Sequence, residues 1–490
     1  MKTKGSITIY ICLTMIVVLS LIVTGISSVT VASARVSMVS SVDLGLYSLF
    51  GQYDKEFFEE FGLLFIDGGY KNADLHMGRV YQELAEEIEY NLFAESFANG
   101  KQPQVASGSV LGYSLATDGG GGIFKEQVVE YMRETIGAQG IALLMEKVMQ
   151  ESSIVKQQEN DKERLDSGDI EDYEEIKRIQ ELAQAQAQEQ AQAEGIEVEV
   201  PMEVELGFEN PIEVIRSIQQ LGVLNLLLPN IEQISQKEID VGQYASHRAL
   251  QQGMGVVPLS GKAQGATADF LFQEYMIGKC GSYISPATTA SLEYQLEYLL
   301  IGKSSDLENL KGVANRLLLT REAANLLHLI GDSPKRAQIS GMALAIATSI
   351  GMPQAAQVVE GVLMTIWAFG ESVIDVRALL RGEKVPLIKT SGSWQLSLDN
   401  LAQLPELLNG ELGSQSEGLD YKGYSRILLT LKNSEEKLAR SMDIVEMTMQ
   451  GKGGRENFRL DSCLYSLEVD MQMSVLTNTY NVRRSYGYDM

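Results

Sequence analysis

The residues best suited to chemistry are two carboxylates, Glu371 and Asp375, which lie in an otherwise apolar stretch. Because they are four residues apart, a helix would place both on one face. Two carboxylates whose pKa values are separated by burial can act as an acid and a base. The alternative is structural ion pairing with Arg321, Arg377 or Arg381, because charges on mostly apolar helices are usually paired. The sequence favours ion pairing.

Other patterns that carry chemistry are incomplete. His76, His247 and His328 are isolated, and no Cys/His spacing matches a metal site. The tripeptide 302–304, Gly-Lys-Ser, resembles the end of a phosphate-binding loop, but residue 297 is Glu where that loop needs its first Gly. No Gly-x-Ser-x-Gly nucleophile motif stands out. We therefore expect no catalytic residue, no metal site and no cofactor, and hence a protein that is not an enzyme.

Composition excludes some classes of partner. The 490 residues carry a formal net charge of −25, and nucleic-acid binding requires a basic surface that this sequence lacks. A hydrophobic content of 45 % is typical of a globular body of two to three domains. Cys12 lies in an apolar run, so only Cys280 and Cys463 could form an extracytoplasmic disulfide; two single buried thiols are the alternative.

The elements that position these residues begin with an apolar N-terminal run, Ile7–Val29, which contains no charge. At 1.5 Å per residue it can cross a hydrocarbon core of about 30 Å as one helix. Lys2 and Lys4 precede the run and Arg35 follows it. Basic flanks stay on the cytoplasmic side, so we expect a cytoplasmic N-terminus and an extracytoplasmic body.

Three fates of this run are open. It is longer than the apolar core of a secretory signal, although Ala32-Ser33-Ala34 could be a cleavage site. The leader ending at Gly5 before Ser6 resembles the leaders of type IV and tight-adherence (Flp/Tad) pilins and pseudopilins, which are cut after Gly. Those pilins carry Glu five residues after the cut, where this chain has Tyr10. We expect the run to be retained as a membrane anchor.

The chain divides into segments of different character. We expect a cytoplasmic leader over 1–6, a transmembrane helix over 7–29, and a membrane-proximal helical region over 30–100. Residues 101–210 are expected to be a variable insertion, helical and low in complexity, with a Gly/Ser-rich loop at its start and alternating residues over 196–206. Residues 211–490 are expected to form an α+β extracytoplasmic domain.

Apolar spacing predicts the main elements of the body. A stripe at helical spacing from Met38 to Phe61 continues the anchor helix beyond the membrane, and Leu63–Ile66 reads as a short strand. Helices are predicted over 72–100, 125–182, 305–331 and about 353–382, and 339–369 as a buried helical hairpin rather than a second span. Alternation predicts strands over 292–300, 394–398, 463–475 and 480–488. The expected fold is α+β and mostly helical, with a small antiparallel sheet.

Several blocks together resemble an uncharacterised membrane-anchored family that is encoded beside tight-adherence pilus genes in Gram-positive bacteria. The blocks are Lys4–Ile9, Asp43–Phe65, Glu293–Asp306, Asn315–Asn325, Trp367–Arg381, Lys384–Lys389 and Phe458–Cys463. The resemblance covers both ends and the second half of the chain, and it is weakest over 100–265. It implies a pilus-associated membrane protein and assigns no catalytic residue.

These observations lead to two hypotheses of function. The first is a non-enzymatic surface protein, an accessory or pseudopilin-like subunit of a tight-adherence pilus or related secretion assembly. Its span would pack against other pilin-like or pilus-assembly proteins through small residues, and the positions to test are Ser20, Thr24, Gly25 and Ser28. The alternative is a membrane-tethered extracytoplasmic enzyme or ligand-binding protein whose site is lined by Glu360, Glu371 or Asp375.

Overall fold

The computed structural model describes residues 4–94, 103–137, 140–164, 226–228, 234–255, 261, 263–349, 353–401, 404, 408, 417–475 and 478–488. The chain forms two compact units. The first, called the sheet unit, comprises Met1–Glu134, Gly242–Gln264 and Val445–Met490. The second, called the helical unit, comprises Thr135–Val241 and Gly265–Ile444. The alternating segment 196–206 and the low-complexity run 183–193 lie outside the described residues.

The sheet unit contains a long N-terminal helix, shorter helices and a small sheet. In chain order its elements are α1 (Lys4–Gly51), α2 (Lys55–Phe61), β1 (Ile66–Asp67), α3 (Met77–Ala94), β2 (Gln104–Leu115) and α4 (Asp118–Ile136), whose last two residues are assigned to the helical unit. The unit ends with β3 (Cys463–Val475) and β4 (Asn478–Gly487). The expected α+β class, mostly helical with a small antiparallel sheet, is confirmed.

The helical unit is built from helices of seven to twenty-six residues. They are α5 (140–164), α6 (Ala266–Lys279), α7 (Gln295–Ile301), α8 (Asp306–Gly331), α9 (Ser333–Ser349), α10 (Ala356–Leu380), α11 (Tyr421–Thr430) and α12 (Ser434–Gln450), the last of which continues into the sheet unit. The Ser305 hydroxyl accepts a hydrogen bond from the Glu308 amide, 3.3 Å, and so caps the N-terminus of α8.

Strand β3 is the centre of the sheet, and it pairs antiparallel with each of the other three strands. Met471 lies opposite Gly108 of β2 on one side and opposite Val482 of β4 on the other. Its neighbours Val469 and Met473 are also buried, as the period-two spacing of a strand requires. These alternate side chains give the sheet one apolar face.

The C-terminal part of α1, from Ala34 to Phe50, packs in the core beside that face, and we call it the inner half of α1. Its buried residues recur every three or four positions, which places them on one side of the helix: Ala34, Met38, Val42, Leu46, Leu49 and Phe50. They share a single apolar cluster with Leu84 and Ile88 of α3 and with Met471 of β3. The predicted stripe is therefore confirmed as the contact between the long helix and the sheet.

The long helix ends earlier than the sequence suggested. Apolar spacing continues to Phe61, but α1 stops at Gly51 and a separate helix starts at Lys55. The Asp54 carboxylate accepts a hydrogen bond from the Phe57 amide, 3.1 Å, which caps α2 and fixes the break. The short strand that follows is Ile66–Asp67 rather than Leu63–Ile66.

Two predicted strands are wrong. Residues 295–301 form α7, and both faces of it are buried, so alternation there did not distinguish a strand from a helix. Residues 394–398 pair with no strand; the amides of Gln395 and Leu396 donate instead to the Glu371 carboxylate, at 2.9 and 2.7 Å. The C-terminal strands are confirmed.

The third long strand of the sheet, β2, lies where the sequence predicted a Gly/Ser-rich loop. At Gly108 a Cβ would come within 2.6 Å of Met471 Sδ and of Tyr81 Oη, so these two side chains would have to shift to admit a larger residue. Glycine has low strand propensity, which hid this strand. Further on, Gly119, Gly120 and Gly121 have positive φ, so the expected glycine loop is confirmed there at the start of α4.

Replacing Gly45 with Leu should destabilise the sheet unit by about 1–3 kcal/mol, the typical effect of overpacking. A Cβ at Gly45 would lie 2.6 Å from Cγ1 and 3.3 Å from the backbone nitrogen of Ile88 on α3. Gly51→Leu is the matched control, since a Cβ there meets nothing within 4 Å. Urea unfolding of the two variants measures the difference; equal stabilities would contradict the close packing of α1 on α3.

Candidate functional site

The N-terminal part of α1, which includes Ile7 to Val29 and which we call its outer half, presents apolar side chains on every side. From Ile7 to Val29 the large apolar residues are exposed, between 49 % at Ile22 and 73 % at Leu21. Among the described residues, one helix is long and apolar enough to cross a membrane, and it is this one; its most apolar stretch has a mean hydropathy of 2.6 and no buried residue. The candidate site is therefore a surface of α1 that the body of the protein leaves uncovered.

Two threonine hydroxyl groups of this segment are satisfied within the helix. Thr24 donates to the Ser20 carbonyl at 2.7 Å, and Thr14 donates to the Tyr10 carbonyl at 3.0 Å. A group that needs no water for its hydrogen bonds can enter hydrocarbon at lower cost. These two hydroxyl groups therefore add little polarity to the surface of the outer half of α1.

The small residues singled out from the sequence share a face or border it. Ser20 and Ser28 lie about five helical turns before Met38 and Leu46, and at 3.6 residues per turn they point in the same direction as these buried residues. The small-residue face is thus in line with the face that packs on the sheet. Gly25 lies beside it, and a Cβ there would meet nothing within 4 Å.

The predicted leader-cleavage position stays a prediction. Gly5 and Ser6 belong to the first turn of α1, which begins at Lys4. That prediction rests on a Gly before a small residue at the start of an apolar helix. Tyr10 is the position at which the chain differs from pilins, which carry Glu there.

The carboxylate pair Glu371 and Asp375 lies on α10, fully buried within the helical unit. Lys389 bridges the two, with its Nζ 2.6 Å from Glu371 Oε1 and 2.6 Å from Asp375 Oδ1. Arg321 Nη2 lies 3.0 Å from Asp375 Oδ2, so one of the three arginines expected from the sequence is the partner. Two carboxylates and two cations together form a closed network, which we call the buried ion cluster.

The remaining arginines and Glu360 do not join the buried ion cluster. Arg377 Nη1 donates to the Leu226 carbonyl at 2.9 Å, and Arg381 is exposed at the end of α10. Glu360 precedes Glu371 by three helical turns, about 16 Å at 1.5 Å per residue. The structure therefore places Glu360 away from Glu371 and Asp375, the other two residues that the alternative hypothesis named for a ligand site.

Neutral hydrogen-bonding groups complete the buried ion cluster. Asn325 Nδ2 donates to Asp375 Oδ2 at 3.0 Å and to Ser372 Oγ at 2.9 Å, and Arg321 Nη1 donates to Tyr424 Oη at 3.0 Å. Every charge is thus met by a partner, the condition under which ions are tolerated in an interior.

The pKa values of the two carboxylates are shifted in opposite directions. Burial raises the pKa of Glu371, and the Lys389 charge opposes this without cancelling it. Burial also acts to raise the pKa of Asp375, but the charges of Arg321 and Lys389 outweigh it and lower that pKa. Divergent pKa values are what acid/base catalysis needs; here, however, neither side chain faces solvent, and both are engaged by fixed partners.

Sequence reasoning missed another buried carboxylate, Glu297 on α7. It accepts hydrogen bonds from Tyr421 Oη at 2.6 Å and from the Tyr283 amide at 2.8 Å. Burial raises the pKa of Glu297 to about 7, although both hydrogen bonds act to lower it. A lone Glu between Leu296 and Tyr298 in an apolar run was the available signal. Glu297 is also fully buried.

The residues considered for a metal site or a disulfide are the histidines and the cysteines. Within the described part of the chain, no group of three or more His, Cys, Asp or Glu could hold a metal ion. Cys280 and Cys463 are buried free thiols, as the alternative to a disulfide proposed, and burial raises the pKa of each. His328 stacks on Trp394 with ring centroids 5.4 Å apart, and burial lowers its pKa.

Together these features define an α+β protein with a long apolar N-terminal helix, a small antiparallel sheet and a buried ion cluster. A family model described as a family of unknown function (DUF5702) matches residues 203–475. This is more than half of the 490 residues, and the chain therefore belongs to that family. No curated protein and no solved structure matches the chain.

Replacing Lys389 with Met should cost about 3–5 kcal/mol of stability, because removal of one partner leaves buried carboxylate charge uncompensated. The control is Lys384→Met, which removes an exposed lysine from the same irregular segment. Chemical unfolding followed through Trp367 and Trp394 fluorescence compares the two. An equal and small effect of both substitutions would show that the buried ion cluster does not stabilise the helical unit.

Proposed function

We propose that the protein is a non-enzymatic, membrane-anchored surface protein, an accessory or pseudopilin-like component of a tight-adherence pilus or a related secretion assembly. The observation that carries the proposal is the division of α1 into two halves. The outer half is apolar and exposed on all sides, whereas the inner half, from Ala34 to Phe50, is buried on one side within the sheet unit.

Length and charge support anchoring in a single pass. From Ile7 to Val29 the helix extends about 35 Å at 1.5 Å per residue, compared with a hydrocarbon core of about 30 Å. Lys2 and Lys4 lie before this stretch and Arg35 lies after it. On the positive-inside rule the N-terminus is cytoplasmic and the body is extracytoplasmic.

The arrangement of α1 supports a pilin-like role rather than a simple tether. In the pilin-like arrangement, a hydrophobic helix emerges from the membrane and packs on a globular head. Here α1 runs without interruption from Lys4 to Gly51, so the rotation of the span about its axis is fixed relative to the sheet. A partner helix that recognises the span therefore also sets the orientation of the sheet unit.

Lateral packing of spans is the proposed mechanism of assembly. Within lipid, helices associate through close van der Waals contact between small residues. Ser20, Thr24 and Ser28 provide such a face, with Gly25 beside it, and all four are exposed. The closed state of the buried ion cluster supports the non-enzymatic part of the proposal, because Glu371 and Asp375 are held by Lys389 rather than presented to a ligand.

Replacing Gly25 with Leu should reduce co-purification of tight-adherence pilin subunits with the full chain several-fold, because the added side chain separates the two spans. A Cβ at Gly25 meets nothing within 4 Å, so the body of the protein is not disturbed. The control is Leu19→Phe, which adds bulk at a position about 100° or more around the helix from Gly25, Ser20, Thr24 and Ser28, given about 100° of rotation per residue. Unchanged co-purification in Gly25→Leu, or an equal loss in both variants, would reject the interface.

A further inference from the structure

The buried ion cluster brings together the groups that form an amide bond. Lys389 supplies a primary amine, and its Nζ lies 2.6 Å from Glu371 Oε1 and 2.6 Å from Asp375 Oδ1. All three side chains are fully buried in the helical unit. An amine that is held against a carboxyl group reacts within one molecule, and this raises its effective concentration far above that of a free amine in solution.

Aromatic side chains next to Lys389 help to keep water away from the reacting groups. Lys389 Nζ lies 6.0 Å from the ring centroid of Trp394, and the buried Trp367 packs edge-on against Trp394 with the ring centroids 5.3 Å apart. In water the ammonium has no lone pair and the carboxylate resists attack. Burial disfavours both charged forms, and exclusion of water slows hydrolysis of the product.

Glu371 is placed as the electrophile. Burial raises its pKa, which favours the protonated carboxyl group that a neutral amine can attack. The amides of Gln395 and Leu396 donate to Oε1 and Oε2 at 2.9 and 2.7 Å, so that charge developing on either oxygen meets a fixed donor. The indole N–H groups of Trp367 and Trp394 both donate to the Leu396 carbonyl, at 2.9 and 2.6 Å, and hold this segment in place.

Asp375 is placed as the proton acceptor. Its Oδ2 accepts hydrogen bonds from Arg321 Nε and Asn325 Nδ2, at 3.1 and 3.0 Å, and its Oδ1 is the oxygen that faces Lys389. Burial acts to raise the pKa of Asp375, but the charges of Arg321 and Lys389 outweigh it and lower that pKa. An ionised carboxylate therefore lies beside an ammonium that must lose a proton before it can react.

We propose that Lys389 Nζ condenses with Glu371 Cδ to form an isopeptide bond, so that the buried ion cluster is the precursor of an intramolecular cross-link. Asp375 Oδ1 takes one proton from the Lys389 ammonium. The lone pair of Nζ then forms the C–N bond at Cδ of protonated Glu371, and Nζ passes a second proton to the hydroxyl group on that carbon, which leaves as water. An ammonium, a carboxylate and a carboxylic acid thereby become an amide, a carboxylic acid and water, and no oxidant, reductant or co-reactant is needed.

The bond joins α10 to the irregular segment that follows it and closes a covalent loop from residue 371 to residue 389. Such a loop restricts the unfolded chain, as a disulfide does, whereas Cys280 and Cys463 are free thiols and form no cross-link. The reaction occurs once in each chain and acts on no other molecule. It is therefore compatible with a non-enzymatic protein, and it does not depend on the membrane anchor.

Mass spectrometry of tryptic peptides from the unaltered full chain tests the bond directly. Trypsin cleaves after a free lysine and releases peptide 385–389, whereas acylation of Lys389 blocks that cut. We expect peptide 337–377 joined to peptide 385–422, one water molecule lighter than their sum, and little free peptide 385–389. Full release of peptide 385–389 without a joined peptide would overturn the proposal. Fragmentation that places the link at Asp375 would overturn the assignment of Glu371 as the electrophile.

Lys389→Arg separates a covalent role from an ionic one. Arginine keeps the positive charge between the carboxylates, but its guanidinium stays protonated and is not a nucleophile. We expect the joined peptide to be lost in Lys389→Arg and kept in Lys384→Arg, the matched change at an exposed lysine of the same segment. A joined peptide that persists in Lys389→Arg would overturn the proposal. Asp375→Asn should lower the joined fraction several-fold, and an unchanged fraction would remove Asp375 as the proton acceptor.

Discussion

The packing of the inner half of α1 on the sheet unit is the interaction on which the rest of the account depends. Met38, Val42 and Leu46 share one cluster with the apolar side of the sheet, and burial of each such side chain contributes about 1.5–3 kcal/mol. The turn after α1 is held by Arg455, which pairs with Asp54 and with Asp67 at the start of the sheet. A helix held in this way carries its exposed outer half in one fixed orientation.

The helical unit illustrates a different constraint, the satisfaction of buried charge. Glu371 and Asp375 would be costly in an interior on their own, and the structure meets them with Lys389, Arg321 and backbone amides. The carboxylates thereby hold the irregular segment after α10 against that helix. The pair that first suggested catalysis is better explained as the support of a chain segment.

The fold was predictable where one local pattern decided it. The stripe on α1, the capping of α8 at Ser305 and the strand β3 all depend on neighbouring residues. Tertiary contacts decided the rest. Strand β2 was missed because its glycines have low strand propensity, whereas its pairing with β3, far along the chain, decides its structure. Lys389 was missed because an irregular segment has no periodicity that relates it to α10, although a lysine after four apolar residues was a usable signal.

The central claim is that α1 stays on the mature protein as its membrane anchor, and the N-terminal residue of the chain extracted from membranes tests it most directly. The account predicts a start at Met1, or at Ser6 if the leader is cut after Gly5; either start keeps the whole apolar run Ile7–Val29 on the protein. A start at Arg35, with the protein released from the membrane, would contradict the account, because the outer half of α1 would then be a discarded signal.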